Sequence, residues 1–251
     1  MHYQAILFDL DGTLLPMDFD VFTKGYLGLL SRAVAPLGYT ADTMIPAMWK
    51  GVGAMMKNDG SRPNVEAFWE VFSAVLGKDA RKDTPVFDAF YDDENGFHKA
   101  IACTQPTPLA AKAVALAREK AARVVLATNP LFPEVAVRSR LKWAGVAYES
   151  FDLVTDYTNS TTCKPNPAYY LEITGKLGVD PAKCLMIGNN AEEDIEAARA
   201  AGLETFLVTD CLIAKEGESV EDYPHGGFDD LMAYIKSLET DSCPDASGKN
   251  D

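Results

Sequence analysis

The chain has 251 residues, enough for one sizeable core with an insert, and is 47% hydrophobic without an apolar run near the roughly 20 residues a membrane span needs. Its formal charge of −14 excludes a protein whose main task is to grip nucleic acid, because that affinity rests on clustered lysine and arginine. An anionic small substrate would need a local cation working against the overall field.

The elements follow in chain order. Residues 6–8 read as an apolar strand ending at Asp9 and Asp11. Residues 18–100 then hold helix-like stretches at 21–35, 43–56 and 65–76, with a polar turn at 57–63, and little that reads as a buried strand. From residue 105 helices and short apolar strands alternate: helix 108–122, strand 124–127, helix 133–144, strand 153–155, helix 167–177, strand 184–187, helix 192–201 and strand 205–208. Such alternation predicts an α/β fold, a doubly wound parallel sheet with helices on both faces. The expected organisation is a core at 1–17 and 101–238, an inserted helical cap at 18–100 and a flexible polar tail at 239–251.

Cys103, Cys163, Cys184, Cys211 and Cys243 are odd in number and lack a Cys-x-x-Cys pair, so neither a zinc knuckle nor a disulfide framework is signalled. The chain opens on a core strand without the basic, apolar and small-residue regions of a secretion signal. A cytoplasmic setting with reduced thiols is expected.

The chemistry-bearing residues cluster where strands end. In a strand alternate side chains share a face, so Asp9 and Asp11 project the same way, and Gly12 lets the chain turn beyond them. Such a pair either holds a hard cation or divides the work of nucleophile and general acid/base, against the plainer reading of a solvated turn. Further on, Val124-Val125-Leu126-Ala127 ends in Thr128-Asn129-Pro130; Cys163-Lys164-Pro165-Asn166-Pro167 opens a helix; and Leu185-Met186-Ile187-Gly188-Asn189-Asn190 leads to Glu192, Glu193 and Asp194. Taken singly, these are a helix cap, a surface lysine and acids at the positive end of a helix.

Together they resemble the four motifs of the haloacid dehalogenase superfamily, most of whose members are magnesium-dependent phosphatases with a Rossmann-like core. The match runs from residue 5 to about residue 210. The resemblance implies that Asp9 is the nucleophile and Asp11 the general acid/base, with Thr128 and Asn129 orienting the phosphoryl oxygens and Lys164 offsetting charge. It also implies Mg²⁺ held by Asp9, the Asp11 backbone carbonyl and the 189–194 loop.

The fourth motif departs from the family, which places an acid directly after the strand. A spacing of five to Asp194 puts Asn189 at that position and a spacing of four puts Asn190 there, and both stay open as metal ligands. An asparagine carbonyl can ligate Mg²⁺ but lacks a full negative charge.

Asp11 favours phosphate chemistry over dehalogenation, since a leaving halide needs no proton. The implied function is hydrolysis of a small phosphorylated metabolite through an aspartyl-phosphate. A phosphomutase and a protein of this fold that binds a phospho-ligand with little turnover are the alternatives. The helical insert resembles the family's C1 cap, and Lys57 and Arg62 in its polar turn are the cations considered for contact with the substrate's distal part.

Overall fold

The computed structural model describes residues 3–217 and 219–239; from residue 240 onward the expected tail lies outside them. β1 (Tyr3–Phe8) is central, and β2 (Ala121–Leu126), β3 (Leu153–Val154), β4 (Cys184–Gly188), β5 (Glu204–Val208) and β6 (His225–Gly226) complete a parallel sheet in the order β3-β2-β1-β4-β5-β6. The two-residue period of the strands splits the core into two layers. Ile6, Phe8, Val124, Leu126, Leu185 and Ile187 pack on one face, while Ala5, Leu7, Val125, Cys184 and Met186 pack on the other. Burial on both faces is what makes the strand sequences near-continuously apolar.

Helices α1 (Phe19–Val34), α2 (Ala41–Met56), α3 (Asn64–Leu76) and α4 (Thr84–Asp92) come between β1 and the rest of the sheet. Their apolar faces carry aromatic residues that join the first layer; Tyr26, for example, packs against Tyr91, Phe97 and Phe132. α5 (Leu109–Lys120), α6 (Glu134–Trp143) and α9 (Phe228–Ser237) also cover that side. α7 (Pro167–Leu177) and α8 (Ala197–Ala200) cover the opposite one.

The helix expected at 108–122 ends at Lys120. Ala121 and Ala122 suit a helix, but Ala121 pairs with Tyr3 and is 7% exposed, so the sheet takes it over. The helix expected at 192–201 is built in two parts: Ala191–Glu196 is a π-helical turn and Ala197–Ala200 continues as α8.

In this strand order the connections reverse direction between β1 and β4, so the crevice for a ligand opens at the carboxyl ends of those two strands.

Candidate active site

Asp9 stands one residue past β1, its backbone N–H donating to the Ile187 carbonyl at 2.9 Å, so the first aspartate is tied to the end of β4. The chain then folds back: the amides of Thr13 and Leu15 both donate to the Leu10 carbonyl, at 3.2 and 2.8 Å. Gly12 makes this turn at φ 91°, a left-handed conformation that L side chains resist, and a Cβ there would collide with the Asn189 side chain. Glycine is required twice over.

Lys164 is 1% exposed and joins residues from the two ends of the core, 155 positions before it and 30 after it. Its ammonium donates to Asp9 Oδ1 at 2.8 Å and to Asp194 Oδ1 at 2.6 Å. Burial opposes that charge, but the carboxylates of Asp194 and Asp9 outweigh it and hold the pKa well above the ordinary lysine value. The same burial pushes Asp194 up to about 7, against the pull of Lys164 and with a further push from Asp9.

The π-helical turn gives Asp194 its place. Its Oδ2 accepts from the Asn190 backbone N–H at 2.9 Å, and any Cβ on Gly188 would strike the carboxylate. Asn190 caps the turn, its side-chain carbonyl accepting from the amides of Glu192 and Glu193 at 3.1 Å each. Asn189 is different: it is 2% exposed, its carbonyl accepts from the Thr13 hydroxyl at 3.0 Å, and its amide donates to the Cys211 carbonyl at 2.6 Å. An aspartate there would have no N–H for that carbonyl, which gives a local reason for the amide.

On the other strand end, Thr128 is 2% exposed, and its backbone carbonyl accepts from the hydroxyls of Thr155 and Tyr169 at 2.7 and 2.9 Å. Asn129 donates to Glu193 Oε2 at 3.1 Å, so Glu193 turns toward the site. Glu192 pairs outward with Lys215 at 3.2 Å.

One residue bonded to the site was not singled out in the sequence. Arg140, on α6, is fully buried and its Nη1 bonds Asp11 Oδ2. The guanidinium lies 4.3 Å above the Phe132 ring, and its Nε donates to the Ala136 carbonyl at 3.2 Å. Burial raises the Asp11 pKa above its ordinary value, Arg140 pulls it back, and Asp9 adds a further push. The signal was available in the spacing: Val137, Arg140, Leu141 and Ala144 share one helix face, and that face is buried.

Asp9, Asp11, Thr128, Asn129, Asn189 and Asp194 thus line one cavity of about 250 Å³. Lys164 lies buried against two of them, and Asn190 also borders the cavity. Among the described residues no group of three or more His, Cys, Asp or Glu side chains converges as a ready metal cage. Mg²⁺ rarely uses one; it takes one or two carboxylates, waters and substrate phosphates. The donors here are hard oxygens, Asp11 Oδ1 is buried without a hydrogen-bond partner, and Asp194 is only partly neutralised by a lysine it shares with Asp9. That donor set fits a divalent cation of the magnesium type.

A family model described as haloacid dehalogenase-like hydrolase matches residues 3–202. The phosphoglycolate phosphatase of Neisseria gonorrhoeae is 28% identical over 210 residues, covering 83% of this chain and 80% of that protein. That of Aquifex aeolicus is 25% identical, covering 81% and 84%. The fold is shared with the HAD phosphatase from Thermococcus onnurineus (TM-score 0.56, 18% identity, 94% of this chain and 99% of that one). It is equally shared with 2-haloacid dehalogenase from Pseudomonas syringae (TM-score 0.58, 16% identity, 93% and 98%). The fold therefore does not separate the two chemistries, whereas the phosphatase relatives do: the chain belongs to the haloacid dehalogenase-like hydrolase family, as a phosphatase-type enzyme.

Proposed function

We propose that the protein is a magnesium-dependent phosphatase that hydrolyses a small phosphorylated metabolite through an aspartyl-phosphate. The observation that carries this reading is the convergence in one cavity of Asp9, Asp11 and Thr128, with Lys164 bridging Asp9 to Asp194.

Asp9 attacks phosphorus with a carboxylate oxygen. The bond to the leaving oxygen breaks, and Asp11 gives that oxygen its proton. Asp11, now a carboxylate, takes a proton from the attacking water, and cleavage of the acyl phosphate returns Asp9 and releases inorganic phosphate. Lys164 holds Asp9 by a hydrogen bond and offsets charge on the phosphoryl group, while Thr128 orients its oxygens. Asp9, the Asp11 backbone carbonyl, Asn189 and Asp194 would hold Mg²⁺, with the Asn190 carbonyl committed to its helix cap. When bound, the cation neutralises charge on the loose transition state.

The test is hydrolysis of an aryl phosphate that requires Mg²⁺ and stops with EDTA. Full turnover in EDTA would remove the magnesium part of the reading, and failure to cleave any ester in a broad panel would remove the phosphatase.

Asp11 must hold a proton in the first step, so kcat/KM should fall on the alkaline side as Asp11 ionises. Arg140 pulls that pKa down; removing the cation therefore raises it. Arg140→Leu should move the alkaline limb to higher pH, checked by pH profiles of kcat/KM. A limb that stays in place would separate Arg140 from the proton step.

A further inference from the structure

A second cavity adjoins the reaction centre. It measures about 90 Å³ and lies between α1, α2, α3 and α4 on one side and the segment 131–133 on the other. Phe19, Leu131 and Phe132 line both cavities, so the two meet at these side chains. Its walls are largely apolar, with Phe22, Met48, Val52, Phe68 and Trp69 among them. The hydroxyls of Tyr26 and Tyr91, whose rings also face it, are bonded to each other at 2.7 Å and are spent internally. Phe19 and Trp49, on its lining, are 48% and 50% exposed, so it is open to solvent on that side.

The charges are as informative as the rings. Among the described residues no lysine, arginine or histidine lines either cavity, and the one charged side chain lining the apolar one is an acid, Asp88. Lys164 and Arg140 are already bound to carboxylates. Arg62 pairs with Glu70 and lines a separate surface hollow, and Lys57 is exposed and lines neither cavity. A second anion on a substrate would meet carboxylates and no free cation, whereas an apolar group would leave water for a wall it matches.

We infer that this cavity is the subsite for the leaving group and selects phosphate monoesters of an apolar alcohol, a single ring or short alkyl chain, over those carrying a second anion. The inference rests on the phosphatase reading for what sits in the first cavity. It separates this chain from relatives named for phosphoglycolate, whose remainder is a carboxylate.

The test is binding of non-hydrolysable phosphonates to the full chain in Mg²⁺, read by the fluorescence of Trp49 and Trp69 and by calorimetry. In the series methyl-, propyl-, pentyl- and phenylphosphonate, each methylene that enters the cavity should tighten binding about threefold to fourfold. 3-Phosphonopropionate should bind no tighter than methylphosphonate. Trp49→Ala and Val52→Asn, at partly exposed positions and each checked for folding by a denaturation curve, should flatten the series. A flat series in the native protein, or tighter binding of the carboxylate-bearing phosphonate than of phenylphosphonate, overturns the inference. Cleavage of esters alongside a flat series removes the subsite and leaves the phosphatase; a steep series with no ester cleaved supports the subsite and removes the phosphatase.

Discussion

Asp9→Asn should abolish phosphate-ester hydrolysis, lowering kcat by about 10⁴-fold or more, as expected when a nucleophile that acts as part of a unit is removed. The substitution nearly preserves shape, so the loss reports chemistry rather than packing. An amide oxygen is a poor nucleophile and carries no charge to share with Lys164, which is left with Asp194 alone within 2.6 Å. The backbone contact from residue 9 to Ile187 does not involve the side chain and should survive. The check is steady-state turnover of an aryl phosphate beside a denaturation curve, with mass spectrometry for a phosphoryl adduct on the native chain. A folded variant that retains turnover within tenfold would end the assignment of Asp9 as nucleophile.

Much of this site was legible because the sequence places chemistry at strand ends. The two-residue period fixes which way β1 side chains point, and an apolar run ending in Asp9 or Thr128 marks the rim of a parallel sheet. What stayed hidden depended on three dimensions. How Asn189 and Asn190 differ could not be read from spacing, because the π-helical turn at Ala191–Glu196 takes Asn190 as its cap while Asn189 bonds to Thr13 and Cys211. Arg140 reads as one more cation in Arg138-Ser139-Arg140 until the helix face is known; Arg138 pairs with Glu134 at 2.6 Å near the surface, and Arg140 enters the core. The boundary at Ala121 was lost because sheet pairing overrode a local helical preference. The apolar second cavity had no sequence signal of its own, since its walls come from four helices and two loops whose apolar residues serve equally well as core.

Lys164→Met should destabilise the protein by about 3–5 kcal/mol near neutral pH, the cost of removing one partner from a buried ionic cluster. Methionine fills the space of the lysine stem, so the loss comes mainly from leaving Asp9 and Asp194 without their shared cation. The pH dependence separates this from a packing defect. Asp194 already sits at about 7 in the folded chain, and without the pull of Lys164 its pKa rises further. A carboxyl whose folded pKa lies above its unfolded value is stabilised when protonated, so that stability is present at low pH and is lost as pH rises through the interval between the two values. The native lysine stays charged throughout that interval, because its own pKa is held well above the ordinary value. Below about pH 7 both folded chains hold Asp194 protonated, so the deficit of the variant should be smallest and level there and grow as pH rises past 7 toward 8. Mg²⁺ should recover part of it, since a cation that binds only the folded state stabilises it by mass action. Urea denaturation at pH 5, 6.5 and 8, with and without Mg²⁺, provides the measurement. A loss below about 1 kcal/mol, or one that does not change with pH, would mean that Lys164 is not what balances the two carboxylates, and the electrostatic account of the site would fall with it.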